Sequence, residues 1–489
     1  MRRAESGKRK ADANGRSRVN GSGRKTAYGY DAVADKKRRR PPITILRSED
    51  SELSSADRRT AVATARDVPR NYEVAAWMVR KHLDYVSSFE FSSQNEIEPL
   101  DTQIEELVER LSEPERFDAA GRHGRRRFLR IAEARRVLDG DVGVMKLAAG
   151  QVQGIEGDRI RATAFSSAAL PRVDPERLIH GVQVDQAGRA IAYALSNRGP
   201  MGDDFRFDRM VPAENFYLHG YFDRFDQVRG VAPFLTACNR LQDTYENFDY
   251  ALAKSKVEQI FALALYRNAE TVDASGEVTE TLDATGKPIK TKTEQKFPGA
   301  AAVFDFDIGE KAEFLNSQHP SSQFKEFSQF MIAVAMLALD MPYCFFDASI
   351  ANFTVSRHAR LLYEQSCEPK QRDNRHLLGH WTRWRLALAI LDGDLVLPAG
   401  MDVAGLKFEW IHKGQPWVQP REEVIANSVA VKEGFTSTPR VTKLQGNDAY
   451  QIVDEQASYM AYRQEKLGPY LGGNPGADFQ ASDPPGGTN

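Results

Sequence analysis

The sequence predicts an α+β chain, on three observations. Its opening third repeats apolar residues at helical spacing, residues 141–220 shift toward a period of two, and an apolar stripe beginning at Val231 continues long enough for an extended helix. From Ser55 the pattern is helical, with Pro69 and Asn71 as punctuation, and Val74, Trp77, Met78 and Tyr85 then recur on one face. Two helices in tandem follow. Ile104, Leu107, Val108 and Leu111 predict a further short helix, and Phe128, Ile131, Val137 and Leu138 another, ended by Asp139-Gly140.

Val182 and Val184, a turn at Asp185-Gln186-Ala187-Gly188, then Ile191, Tyr193 and Leu195 predict a hairpin. Phe234, Cys238, Leu241, Tyr245, Phe248 and Leu252 alternate spacings of four and three, so one stripe lines a helix from about Val231 to Tyr266. Residues 271–310 carry turn signals at Asp273–Gly276 and Asp283–Gly286 and predict short strands between two helices. The second of those helices, about Ser321 to Leu339, is apolar on nearly every side after Phe330, which calls for burial against neighbouring subunits. An irregular stretch from Met341-Pro342 to Val355 precedes a long helix to about Leu391, bearing Trp381 and Trp384. A strand at Lys407–Ile411, helices near 420–433 and 448–467, and a Gly-rich tail from Gly472 complete the chain.

At 489 residues the chain has apolar content for a substantial core. Cys238, Cys344 and Cys367 stand far apart, which suggests neither a disulfide framework nor a zinc cluster and fits folding in a reducing cytosol. Met1-Arg2-Arg3 has the charge of a secretory leader without its apolar stretch, so export by that route is not expected. The longest apolar run, Phe330 to Leu339, falls far short of the roughly 20 residues that cross a bilayer.

The net charge of −2 hides an asymmetry. Residues 1–40 hold fourteen Lys/Arg against four Asp/Glu, about +10, which leaves about −12 on the remainder. The basic arm, closing on Lys36–Arg40 and Pro41-Pro42, reads either as a contact for nucleic acid or acidic protein, or as a solubilising tail.

Local arrangements that carry chemistry are largely absent. Gly21-Ser22-Gly23-Arg24-Lys25-Thr26 imitates a phosphate-binding loop, but Arg24 interrupts it and no strand precedes it. His376 and His380 have the spacing of zinc ligands, yet Leu377 stands where a metalloprotease carries Glu, so surface or packing histidines are expected. Asp305/Asp307, Asp139/Asp141 and Asp392/Asp394 resemble Mg²⁺-holding pairs in nucleases, with turn formation and solvation as the plainer account. Basic clusters at Arg122–Arg130, at Lys254 and Lys256, and at Lys287–Lys296 read as solvated faces or salt-bridge partners. In a ring, however, one Lys per subunit becomes a belt that holds phosphates without reading bases.

The ordered segments over roughly residues 56–467 resemble the portal protein family of lambda-like phages. The residues concerned are Ala65-Arg66-Asp67 with Arg70-Asn71, Val137–Asp141 leading to Ile155–Ile160, Gly181-Val182 through Asp185, Gly188-Arg189, and Ala192-Tyr193. Gln227–Pro233 is similar to the family's Arg-Gly-Val-Ser-Pro turn, with Ala232 for Ser. Asp340-Met341-Pro342-Tyr343 answers Gly-Met-Pro-Tyr, and Asn352-Phe353-Thr354-Val355-Ser356-Arg357 answers Asn-Tyr-Ser-Ser-x-Arg, with Val355 as a departure. Trp410 and Trp417–Glu423 resemble Trp followed by Val-Asp-Pro-x-Lys-Glu, with Gln419 and Glu422 as departures; Gly434, Ser437, Gly446 and Asp448 continue the pattern.

The resemblance implies an elongated subunit of a homo-oligomeric ring, usually of twelve, through which double-stranded DNA enters and leaves a viral head. It maps residues 1–55 to an arm, 56–230 to the wing, 231–266 and 313–340 to stem helices, 267–312 to the clip, and 341–357 to the tunnel loop. Residues 358–419 then complete the wing, 420–467 build the crown, and 468–489 form a tail. It implies partners in the terminase large subunit, head-completion and tail connector proteins, and the major capsid and scaffold proteins, with no cofactor, metal or catalytic residue. DNA-channel candidates are Lys254, Lys256, Arg267 and Arg357; Asp347, Asn352, Phe353, Thr354, Ser356 and Arg357 belong to the tunnel loop, and Phe330, Val334, Ala335 and Leu337 to the stem interface. Two other readings stay open: a metal-dependent nuclease of the packaging apparatus, and a general scaffold or adaptor.

Overall fold

The computed structural model describes residues 46–161, 174–199, 204–270, 322–350, 352–414 and 419–467. Most of the arm and of the 267–312 segment, including Asp305, Asp307 and the Lys287–Lys296 cluster, and residues 468–489 lie outside them. The chain divides into Met1–Ser48 and Glu49–Asn489, and every element below belongs to the second unit.

Helices α1 (Glu49–Glu52), α2 (Ser55–Asn71) and α3 (Glu73–Val86) come first. The hydroxyl of Ser54 caps α2 by accepting from the Asp57 N–H. Pro69 lies inside α2, and the break falls instead at Tyr72, whose backbone is extended. Strand β1 (Phe89–Ser93) leads to α4 (Glu98–Leu111), α5 (Pro114–Phe117) and α6 (Arg125–Asp139). Strands β2 (Asp141–Lys146) and β3 (Val152–Glu156) form a hairpin; β4 (Leu178–Ile179), β5 (Val182–Val184), β6 (Ala190–Arg198), β7 (Phe205–Pro212) and β8 (Phe216–Gly220) follow.

The long helix α7 (Leu235–Glu270) and helix α8 (Ser322–Met336), extended by a 3₁₀ turn at Leu337–Leu339, precede a helix of 40 residues, α9 (Phe353–Asp392). Strand β9 (Phe408–His412) and helices α10 (Pro420–Lys432), α11 (Thr438–Leu444) and α12 (Ala449–Leu467) close the described chain. All strand pairing is antiparallel, in sheets ordered β1-β9, β3-β2-β8 and β4-β5-β6-β7. The expected hairpin is β5-β6, with Asp185 accepting from the N–H groups of Ala187 and Arg189 in its turn. Among the described residues no helix is long and apolar enough to cross a membrane.

Three apolar cores result. The first joins α2, α3, the end of α6, the start of α7, α8 and the first half of α9. The second joins α4, α5, the start of α6, the β1-β9 ribbon and the second half of α9; the third lies between the two larger sheets. Helix α9 therefore belongs to two cores, through Tyr363 and Cys367 in one and Leu377, Leu378, Trp381 and Leu386 in the other.

Pro369 lies inside α9 between those sets and has no N–H to donate to the preceding turn. Side-chain ties follow at once. Lys370 pairs with Asp340 at 2.7 Å, Gln371 donates to the Tyr85 carbonyl at 2.9 Å, Asp373 pairs with Arg136 at 2.7 Å, and Asn374 donates to the Val86 carbonyl at 3.0 Å. Asn374 also donates to Glu133, a fully buried carboxylate that receives Arg136, His82 and the Tyr221 hydroxyl as well. His219 completes the group, 3.0 Å from Asn374 and 3.5 Å from Glu133.

A second buried network is built on Arg229. Its guanidinium donates twice to Asp141, at 2.7 Å each, and to the carbonyls of Ile160, His180 and Gly157. Asp141 also receives the Gly230 N–H and Arg58. This contact needs two glycines. Gly140 has φ +93° and ends α6, and a Cβ there lies 2.5 Å from the Gly230 carbonyl; a Cβ on Gly230 collides in turn with Gly140. Beside it, Arg66 holds Asp139 and reaches Glu156 and Asp158, which Arg198 also pairs.

Asp139 and Asp141 are thus corrected from solvated turn residues to buried, arginine-clamped ones, and neither has a carboxylate face open to a metal ion. Burial pushes the Asp141 carboxyl up, but Arg229 and Arg58 outweigh it and hold the group below the usual range. Arg125 is corrected likewise: it is buried, 4.4 Å above the Trp410 ring, and donates to Ser112 and the Phe89 carbonyl.

Two outcomes test these networks. Asp141→Asn strands Arg229 and Arg58 beside a neutral amide and lowers stability by about 3–5 kcal/mol, read from the midpoint of urea unfolding. Burial pushes His82 and His219 below the ordinary imidazole value, and pushes His412 down to about 4 with Arg375 adding to the effect. The unfolded chain then binds more protons than the folded one below about pH 6.5, so stability is full above that pH and falls as the pH drops toward the folded values. Melting scans from pH 7 to pH 5 show this decline, and it is shallower in His82→Gln/His219→Gln.

Candidate functional site

The surfaces that remain for function begin where α7 leaves the first core. Phe234, Cys238 and Leu241 are buried, Tyr245 and Phe248 are half-buried, and Leu252 is exposed, so the predicted stripe emerges from the body along its length. The helix starts at Leu235 rather than Val231, because Val231–Phe234 enter as an extended turn anchored at Arg229-Gly230. Tyr245 fixes the exit. Its ring stacks on Tyr72 at 4.3 Å, and its hydroxyl donates to Glu73 and accepts the Val74 N–H.

Helix α8 packs along α7, with Phe324 meeting Phe248 edge-on. Its two faces differ sharply: Ile332, Ala335 and Met336 enter the first core and Met331 is buried, whereas Phe327, Phe330 and, in the 3₁₀ turn that follows, Leu337 point outward. Of the four stem-interface residues, Phe330 and Leu337 are 63% and 66% exposed, Val334 is half-buried, and Ala335 is 1% exposed. Ala335 is therefore corrected from an intersubunit position to one inside the chain's own core.

The segment after α8 is pinned rather than loose. Asp340 takes a left-handed backbone (φ 58°) while its carboxylate pairs with Lys370. Phe345 stacks on Tyr85 and meets Tyr363 edge-on, and Phe346 meets Trp77 edge-on. Asp347 accepts from the Ser349 N–H and hydroxyl, which hold its carboxyl below the usual range. Asn352 then caps α9, its side chain accepting from the Val355 N–H at 2.9 Å.

The long helix thus begins at Phe353, within the stretch to Val355 that reads as irregular, and Phe353, Thr354, Ser356 and Arg357 form its first turns. An Asn N-cap was the available signal. The Arg357 guanidinium pairs with Glu423 at 3.4 Å and donates to Gln419 at 3.3 Å, tying α9 to α10. No spacing in the sequence joins positions 357 and 423.

Lys254 and Lys256 lie on exposed turns of α7, and Arg267 lies further along it, where only the backbone is described. The far end of the chain rests on the β1-β9 ribbon: Ser92 donates to Asp448 at 2.6 Å, and Lys443 pairs with Glu409. Beyond these anchors α10, α11 and α12 bury no residue, while Val424, Ile425, Val429, Tyr450, Val453, Tyr459 and Met460 are exposed. His376 and His380 are exposed, and among the described residues no group of three or more His, Cys, Asp or Glu is placed to hold a metal ion.

A family model described as phage portal protein, lambda family, matches residues 37–371. No curated protein sequence matches. Among solved structures, a chain from the virion of a native gene transfer agent particle aligns at TM-score 0.40 and 14% identity, covering 80% of this chain and 99% of its own. A chain from the neck of the empty particle, computed with C6 symmetry, aligns at TM-score 0.44 and 14% identity, covering 82% and 94%.

Proposed function

This chain belongs to the lambda family of phage portal proteins, and from that premise we propose that about twelve copies form the ring through which double-stranded DNA is packaged and ejected. The observation that carries the ring is the distribution of exposed apolar side chains. Phe327, Phe330 and Leu337 on α8, Leu361 and Leu362 on α9, and the unburied residues of α10 and α12 lie on helices whose opposite faces or ends are firmly anchored. Burial of each such side chain between copies contributes about 1.5–3 kcal/mol, which a ring collects at every interface.

In this reading α7 and α8 form the stem, the unpaired part of 341–352 faces the bore, and α10–α12 form the crown. DNA must slide, so phosphate is held weakly and without sequence preference. The acidic body repels DNA toward the axis, while belts of Lys254, Lys256 and Arg267 centre it. Arg357 is a weaker member of such a belt, because Glu423 already answers its charge. The same ring offers docking faces for the terminase motor, the head-completion and tail proteins, and the capsid and scaffold proteins. The family is a structural one, and translocation energy comes from another component.

Averaged electron micrographs of the purified protein test the central claim: rings with a central hole are expected, and particles without one overturn it in favour of an adaptor. Phe330→Asp and Leu337→Asp should abolish rings while leaving a folded monomer in sedimentation and circular dichroism. Ala335→Asp should instead lower the melting temperature of the subunit itself, because it buries a charge. The double variant Lys254→Ala/Lys256→Ala should package and retain DNA less well at low salt than at high salt relative to the parent; equal values at every salt concentration remove both residues from the channel.

A further inference from the structure

Most partly buried cations of this molecule have a carboxylate of their own: Arg58, Arg66, Arg136, Arg198, Arg229 and Lys370 all do. One cluster departs from the rule, through the half-buried Lys146 and Arg385. Where the β2-β3 hairpin meets the second half of α9, the structure brings together Lys146, His380, Arg383, Arg385 and Arg116, and among the described residues none of them has a carboxylate at ion-pair distance.

Four of them have a substitute instead. Lys146 donates to the main-chain carbonyl of Glu214 at 3.2 Å and lies 5.8 Å from the centre of the Trp384 ring. Arg385 lies 5.7 Å from the same ring, and its Nε is buried without any hydrogen-bond partner. Arg383 sits over Phe408 at 5.2 Å, and His380 stacks near Tyr217 at 5.4 Å. Gly150 takes a left-handed backbone here (φ +85°), and a Cβ on it would displace the Arg385 guanidinium.

The charges also oppose one another. Burial first, and then Lys146 and Arg383, push the His380 imidazole below its usual value; burial and the nearby Arg116 act in the same direction on Arg385, against Asp392 and Asp394. Lys146, Arg383 and Arg385, with carboxylates only at their margin and half-buried aromatic rings beside them, are poised to gain energy from a further anion.

We propose that this patch, formed by Lys146, His380, Arg383, Trp384 and Arg385 with Arg116 at its margin, is a docking surface for an acidic segment of a partner protein. Discrete carboxylates suit it better than a nucleic acid backbone. Duplex DNA carries one charge per about 1.7 Å of its axis, and its continuous phosphates would meet Glu214, Asp392 and Asp394 at the edges of the patch. A peptide places its carboxylates on the arginines and its carbon stems on Trp384 and Tyr217.

The test is fluorescence anisotropy of a labelled peptide of twelve alternating Glu and Ser residues with the full-length protein, beside a 20-base-pair duplex as second probe. Lys146→Gln/Arg383→Gln/Arg385→Gln is compared with a charge-matched control, Arg177→Gln/Arg206→Gln/Arg209→Gln, whose arginines pair locally with Asp174, Asp204 and Asp208. The basic arm is present in all three proteins, so the difference between variants isolates the patch. Peptide affinity should fall about tenfold in the patch variant and less than twofold in the control, with duplex affinity changed equally in both. Equal losses of peptide binding, no loss in the patch variant, or a selective loss of duplex binding overturns the proposal. Lys146→Gln/Arg383→Gln, which spares the half-buried Arg385, decides the matter if the triple variant melts early.

Discussion

Arg229 places all five of its guanidinium N–H donors inside the protein, two on Asp141 and three on main-chain carbonyls. A buried arginine tolerates desolvation only under such complete accounting. The acceptors come from β2, from the 3₁₀ turn at Gly157, from Ile160 and from His180, so one side chain joins both larger sheets. Gly230, the next residue, lies backbone to backbone with Gly140 and gives the chain its entry into α7. The direction in which the long helix leaves the body is therefore set where α6 ends and β2 begins.

Polar and apolar surfaces follow opposite rules. Around the two buried networks nearly every charge is answered within the chain, which fixes one arrangement of α3, α6, β8 and α9. On α8, α10 and α12 the large apolar side chains are left unanswered, and the fold holds those helices in place by small, specific anchors such as Phe248 against Phe324, Arg357 against Glu423, and Ser92 against Asp448. Charges are closed within the chain, whereas apolar faces of these helices are left open, a division expected of a subunit that assembles with copies of itself.

The sequence was legible wherever one periodicity held. The tandem helices, the hairpin at Asp185, the exit of α7 and the long helix up to Asp392 all followed from spacing and caps. It was illegible where meaning depends on distant partners. Asp139 and Asp141 look like turn residues until Arg66 and Arg229 arrive from 73 and 88 residues away. Ala335 and Leu337 share an apolar run, and only the placement of the first core separates the inner one from the outer one. The start of α9 lies before the point its periodicity predicts for a local reason, since Asn352 reads as loop in the sequence but caps the helix.

Pro369 gives the long helix a property that its length alone conceals. A continuous rod of 40 residues would carry a displacement at Asn352 undiminished to Asp392. Here the rod loses a main-chain bond at Pro369 and within five residues is fastened to the ends of α3 and α8 and to α6. The proline and its fastenings divide one helix between two cores, so that Tyr363 before it and Trp381 after it are packed by different neighbours.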